Sequence, residues 1–416
     1  MSEVQDIFQR YGEGYRTHHK LTLDQHKAMS SIQKCRTSQL GGHKEACDNC
    51  GNTRISYNSC RNRHCPKCQA LAKERWIENQ KNNLLNIGYF HVVFTIPDTL
   101  NSITYQNQKT IYNLLFKVVA ETLNELASDK KYLGTKIGFT SVMHTWGQAL
   151  MHHLHMHCVV LGGGLSSIGK WVSSRKKFFI PVKVLSRKFR GKFLYHLKQL
   201  YDLNKLEFHG SQTYLSDDKE FEKLLSTLYN KEWVVYCKPP FKNAACVVEY
   251  LGRYTHRVAI SNKRIINIEK DTVSFKWRDY KDNSKQKVMT LSAEEFIRRF
   301  LIHILPSGFM KIRHYGLLGN RNKTTKLKLC KQLTHTPLLL REKASTLQLI
   351  QKLIGKDLTK CPNCGSENPR RFMSLGKSPP ANAQTAYVKN CPVMGRGKLC
   401  PKLAYLKVSN TYRTMF

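Results

Sequence analysis

The sequence predicts a mixed α/β (α+β) protein, with an antiparallel sheet and packed helices lying between two small cysteine-rich modules. Three observations predict it. Short runs rich in β-branched and aromatic residues alternate with helix-spaced segments through the middle of the chain. Of the 14 cysteines, six fall between Cys35 and Cys68 and four between Cys361 and Cys400. The 416 residues are 41% hydrophobic and 10% aromatic, enough to fill real cores, so the chain is not a disordered basic tail.

Residues 1–34 read as an amphipathic helical lead-in, with Ile7, Phe8 and Tyr11 and then Leu21, Leu23, His26 and Met29 as contacts. Residues 35–86 form the first cysteine module, which a helix leaves from about Ala70 to Leu85. YFHVVFTIP (89–97) is a buried strand closed by Pro97. Residues 108–126 carry apolar positions at helical spacing, and IGFTSVMHTWG (137–147) and HLHMHCVVLGG (153–163) are two further strands. The basic stretch at about 169–232 reads as an insertion. Beyond it come a strand in WVVYCKPPF (233–241), a helix from about Asn243 to Arg257, a hairpin over 264–280, and a helix over 293–305 ended by Pro306. The central domain thus spans 87–300, a helical connector 301–359, and a basic terminal module 360–416.

Sixty-eight Lys and Arg against 29 Asp and Glu leave a formal charge of +39. Such a field calls for a polyanion, and nucleic acid is the obvious one; a neutral metabolic enzyme is not the default reading. With no apolar run of about 18 residues and a polar start, neither a membrane span nor a secretory signal is expected. The expected place is the cytoplasm, beside the nucleoid. There thiols stay reduced and clustered cysteines read as metal ligands.

Cys47-x₂-Cys50 and Cys65-x₂-Cys68 are two knuckles, and two knuckles complete the tetrahedral sulfur shell of a structural Zn²⁺. Such an ion supplies roughly 10–16 kcal/mol to a module whose own core is thin. Cys35, His43, Cys60 and His64 are candidates for a second, interleaved zinc; otherwise the cysteines pack and His43 or His64 meets a phosphate. Cys361 and Cys364 make a knuckle near the other end, with Cys391 and Cys400 as the candidate return pair. Cys158, Cys237, Cys246 and Cys330 read as core residues.

In a strand the side-chain period is two, so His153, His155 and His157 share one face, and Leu154 and Met156 the other. Imidazoles so aligned can hold a divalent metal. Tyr250 and Tyr254, four apart on a helix, leave one face together; alone, such a pair reads as core packing. Together the two features suggest a chemistry. A tyrosine attacks a phosphodiester and keeps the 5′ phosphate as an ester, while a cation polarises the phosphate oxygens. Two tyrosines allow two such linkages.

HLHMHCVVLGGGLS (153–166) resembles the His-hydrophobic-His motif of the HUH endonucleases. YLGRYTHRVAISN (250–262) resembles the paired-tyrosine motif of their rolling-circle transposase branch. GGHKEACDNCGNTRISYNSCRNRHCPKCQ (41–69), YFHVVFTIP (89–97), SRKFRGKFL (186–194) and LPSGFMKIRHYGLL (305–318) resemble segments of the bacterial insertion sequence 91 family. The resemblance runs in order from about Cys35 to Asn320. It implies an HUH-type sheet and a metal-dependent transposase that nicks and rejoins single-stranded DNA at transposon ends. It makes His155 and His157 the ligands of a catalytic Mg²⁺ or Mn²⁺, and Tyr250 and Tyr254 the nucleophiles. The third ligand is open among His153, Gln148 and Glu249, and imidazole ligands also suit Zn²⁺. Tyr57, Trp76, Trp277 and Tyr280 could stack on unpaired bases. Two other readings stay open. One is a plasmid-type rolling-circle replication initiator with the same chemistry. The other is a non-enzymatic zinc-dependent DNA-binding protein, such as a repressor, in which these histidines and tyrosines are structural.

Overall fold

Two helices open the chain, α1 (Val4–His18) and α2 (Leu23–Lys34). The second starts at a capping box in which Thr22 and Gln25 satisfy each other's backbone N–H. The hairpin β1 (Gly42–Cys47) and β2 (Thr53–Tyr57) precedes α3 (Pro66–Lys81). Strand β3 (Tyr89–Thr95) leads through the short α4 (Asn101–Gln106) into α5 (Gln108–Ser128). Strands β4 (Gly138–Trp146) and β5 (His152–Leu161) follow, then a small hairpin, β6 (Gly163–Leu165) and β7 (Trp171–Ser173). Helices α6 (Val182–Asp202) and α7 (Asp218–Asn230) precede β8 (Val235–Lys238). A meander of β9 (Ile265–Glu269), β10 (Thr272–Asp279) and β11 (Lys285–Ser292) runs into α8 (Ala293–Leu301), β12 (Ile312–Gly316), α9 (Lys326–Leu333), α10 (Thr346–Ile354) and β13 (Arg370–Leu375). This computed structural model describes residues 2–377 except 176–178, 239–246, 248, 249, 251, 253, 254, 257, 281, 338–343, 368 and 369, with 370–372 as backbone only. Within 247–255, the described Val247, Tyr250, Gly252 and Thr255 are helical.

The central sheet has the strand order β12-β4-β5-β3-β8, and every pairing is antiparallel. Alternation sorts its two faces. Phe90, Phe94, Phe139, Met143, Leu154 and Met156 point into the main core, which α5 and α6 cover. On the other face stand His91, His144, His155 and His157, beside Tyr89, Val159 and Leu161, which pack with Val247.

Several expectations change. The stretch at 169–232, read as an insertion, contributes to the main core: Leu185, Phe189, Phe193 and Leu197 of α6 are wholly buried there. The 301–359 connector is not purely helical, because β12 forms an edge of the central sheet. The 264–280 hairpin is present, turning at Lys270 and Asp271 with φ of 45° and 59°, but it gains β11 as a third strand. The lead-in helices form as expected, and their apolar face joins a second core, where Ile7, Phe8 and Met29 meet Phe275, Phe296 and Phe300. Phe8 and Phe300 pack edge to face at 5.2 Å. Finally, β13 does not close a separate terminal module but pairs with β1, adding a third strand to the N-terminal hairpin. Among the described residues, no helix is long and apolar enough to cross a membrane.

Buried imidazoles make this fold acid-sensitive. His303 bonds through Nε2 to the Leu150 carbonyl at 3.0 Å and through Nδ1 to the Thr145 hydroxyl at 3.2 Å, and burial lowers it to about 3. Below about pH 6.5 the unfolded chain takes up a proton that folded His303 refuses, so stability falls as pH drops from there toward 3. Each such imidazole contributes up to about 1.4 kcal/mol per pH unit. We expect His303→Gln to flatten the difference in urea-unfolding free energy between pH 7.5 and 5.5 by about 1 kcal/mol; an unchanged difference would remove His303 from this account.

Candidate metal and nucleophile site

The register of three strands builds the site. His155 on β5 lies opposite His144 on β4, and His157 lies between Val142 and Val93. One ligand nitrogen from each of His144, His155 and His157 lies within 4.8 Å of the others, an arrangement able to hold one ion. The ring centroids are 5.4 Å apart for His144 and His155, 4.8 Å for His144 and His157, and 4.9 Å for His155 and His157. The His155 Nδ1–H donates to the His153 carbonyl at 2.8 Å, which leaves Nε2 for a metal. An irregularity in β4 between His144 and Trp146 re-aims the strand there, and Trp146 stacks on His144 at 4.6 Å.

Tyr250 reaches this cluster through a residue that sequence reasoning missed. Its hydroxyl is 2.8 Å from His91 Nδ1, and His91 Nε2 is 3.0 Å from His157 Nδ1. His91 is almost wholly buried, and desolvation, with help from Lys238 and His155, lowers it to about 3. A neutral His91 thus joins the candidate nucleophile to a candidate ligand and holds the orientation of both. The missed signal was a histidine in each neighbouring strand, His91 in YFHVVFTIP and His144 in IGFTSVMHTWG.

The third-ligand candidates fare differently. His153 is exposed and outside the cluster, and its ring centroid is 5.0 Å from that of His155. Gln148 donates to the Tyr280 hydroxyl at 3.1 Å instead. Glu249 and Tyr254 lie outside the described residues.

The cysteines regroup. Cys47 and Cys50 do not share a shell with Cys65 and Cys68. One set is Cys35, Cys60, Cys65 and Cys68, and the other is Cys47, Cys50, Cys361 and Cys364. In the first, Cys68 Sγ is 3.6 Å from both Cys35 and Cys60, and Cys65 and Cys68 sit at the start of α3. Tetrahedral Zn–S bonds of about 2.3 Å require sulfurs about 3.8 Å apart, so both sets suit the ion. His43 and His64 join neither. His43 Nε2 is 3.2 Å from the Glu45 carboxylate, while half-buried His64 accepts the Leu305 N–H at 3.3 Å and desolvation lowers it to about 3. Cys391, Cys400 and Cys246 lie outside the described residues. Cys158 and Cys330 are buried core residues as expected, and Cys237 is half-buried.

Helix α3 ties the first cysteine set to the tyrosine. It leaves Cys65 and packs Ile77 against Gly252, two residues after Tyr250. The Trp76 ring lies 6.2 Å from that of His256.

Two four-cysteine clusters suited to Zn²⁺ and an imidazole cluster beside a tyrosine, on a strongly basic chain, fit the class of zinc-binding proteins that process DNA. The comparisons agree. Residues 138–326 match the family described as "Putative transposase", and residues 7–96 match "Transposase zinc-binding domain". "Putative transposase y4qJ" of Sinorhizobium fredii is 49% identical over 374 residues, covering 87% of this chain and 92% of the relative. The transposase for insertion sequence element IS801 of Pseudomonas savastanoi pv. phaseolicola is 29% identical over 299 residues, covering 71% of this chain and 70% of the relative. No solved structure matches. The chain belongs to the insertion sequence 91 family of transposases, which work by rolling-circle transposition.

A side chain at Gly252 would press on α3: a Cβ there would overlap Ile77 Cδ1 and stand 2.8 Å from its Cγ1. Helix propensity favours alanine by about 0.5–1 kcal/mol, but overpacking costs about 1–3 kcal/mol. We expect Gly252→Ala to lower stability by about 1 kcal/mol and to slow any reaction of Tyr250; a variant as stable and as active as the parent would show that α3 does not set the tyrosine's position.

Proposed function

We propose that this transposase nicks and rejoins single-stranded DNA at transposon ends through a 5′-phosphotyrosine intermediate. One observation carries the reading: the Tyr250 hydroxyl is hydrogen-bonded to His91, which itself contacts His157 of the three-histidine cluster. The Tyr250 oxygen attacks phosphorus, the bond to the 3′ oxygen breaks, and the leaving 3′ oxygen takes up a proton. The phenol proton departs to solvent as His91 holds the oxygen in place. His144, His155 and His157 would hold Mg²⁺ or Mn²⁺, which supplies charge to the scissile phosphate oxygens. Tyr254, four residues further on, would make the second linkage, so one strand end stays held as another is cut.

The surface supports a single-stranded substrate. A groove of about 470 Å³ is lined by Lys263, Arg264, Lys276, Trp277, Arg278 and Tyr280, which combine cations for phosphates with rings for bases. Another, of about 840 Å³, runs beside β12 and includes Trp76, Lys109, Asn113 and Arg313. Tyr57 is exposed on β2. Contacts of this kind make binding fall steeply with salt.

The test is covalent trapping. Full-length protein is incubated with single-stranded DNA carrying the element's end, with Mg²⁺ or Mn²⁺, and resolved on a denaturing gel. We expect a metal-dependent protein–DNA adduct that drops at least tenfold in Tyr250→Phe and vanishes when Tyr254 is also Phe. Salt-sensitive binding without any adduct would instead favour a DNA-binding protein in which these tyrosines are structural.

A further inference from the structure

We propose that Cys47, Cys50, Cys361 and Cys364 bind a Zn²⁺ of their own, forming a zinc ribbon built from two distant parts of the chain. Neither matched family segment reaches Cys361, so half of this ligand set lies beyond both.

The two knuckles are near copies in space. In each, the glycine after the second cysteine donates its N–H to the carbonyl of the first at 2.9 Å, Gly51 to Cys47 and Gly365 to Cys361. Both glycines are left-handed, with φ of 69° and 71°, a conformation that favours glycine. The first cysteine of each also donates its N–H across the turn at 2.9 Å, Cys47 to Asn52 and Cys361 to Ser366. The knuckles face each other. Cys47 Sγ is 3.8 Å from Cys364 Sγ and Cys50 Sγ is 3.7 Å from Cys361 Sγ, the spacing of sulfurs around one tetrahedral zinc and far too long for a disulfide.

The second layer of contacts repeats the symmetry. Asn49 Nδ2 points at Cys364 Sγ at 3.7 Å, and Asn363 Nδ2 points at Cys50 Sγ at 3.6 Å. Each knuckle thus lends an amide donor to a sulfur of the other, an arrangement that stabilises metal-bound thiolates and orients them. Strand pairing completes the ribbon, with Gly42–Cys47 of β1 lying between β2 and β13.

This ion would clasp the chain's last described strand onto its N-terminal module. It would also anchor the segment from Lys360 to Phe416, whose ten Lys and Arg face a single acid, Glu367. The site needs no part of the nicking mechanism, so its test stands apart from that reading.

The test counts metal and maps thiols in full-length protein purified under reducing conditions. Zinc per chain should fall by one in Cys361→Ser/Cys364→Ser and stay at the parent value in Cys391→Ser/Cys400→Ser. In the unmodified protein, stepwise chelation followed by alkylation and mass mapping should release Cys47, Cys50, Cys361 and Cys364 as one set, apart from Cys35, Cys60, Cys65 and Cys68. The mapping uses native protein, so it decides the matter even if the serine variants do not fold. Loss of a zinc from Cys391→Ser/Cys400→Ser, or co-release of Cys47 and Cys50 with Cys65 and Cys68, would overturn the proposal.

Discussion

The antiparallel register of β3, β5 and β4 is the constraint on which the site depends. With His144 opposite His155, and His157 opposite Val93, four imidazoles on three strands converge on one face of the sheet. A slip of one residue in β5 would turn His155 and His157 into the apolar core and bring Leu154 and Met156 to the site. The register is held from the other side of the sheet, where Phe90, Phe94, Leu154 and Met156 are wholly buried under α5 and α6. The stability of the main core and the geometry of the polar face are therefore one property.

Helix α3 carries order outward from that face. Its first turn holds Cys65 and Cys68, its Ile77 touches Gly252, and its Glu74 pairs with Lys352 of α10 at 2.9 Å. A structural ion at its start would thus stiffen the support of the tyrosine, and α10 leads on toward the Cys361 knuckle. In this arrangement the first cysteine set does more than close a local module: the helix that starts from it packs against the helical segment carrying Tyr250.

Much of this was legible in the sequence. The strands of the central sheet showed as β-branched runs, and Pro97 marked the end of β3 closely. His155 and His157 could be read from alternation because they share one strand. His144 and His91 could not, because their closeness is a matter of which strands pair and in what register, which a local pattern does not encode. The cysteines show the same limit. Proximity along the chain suggested Cys47 and Cys50 with Cys65 and Cys68, whereas folding joins the knuckles from opposite ends. One local cue was present: CDNCG and CPNCG share both the asparagine and the following glycine, and CPKCQ has neither. The 1–34 helices were recognised as amphipathic, but the partners of their apolar face, Phe275, Phe296 and Phe300, lie some 250 residues away.

Anomalous diffraction from crystals of the full-length protein soaked in Mn²⁺ tests the central claim most directly. A manganese peak among the Nε2 atoms of His144, His155 and His157, with the Tyr250 hydroxyl still on His91, is the predicted result. A peak on His153 and His155 without His144, or none on this face while the protein in solution forms adducts with Mn²⁺, would contradict it.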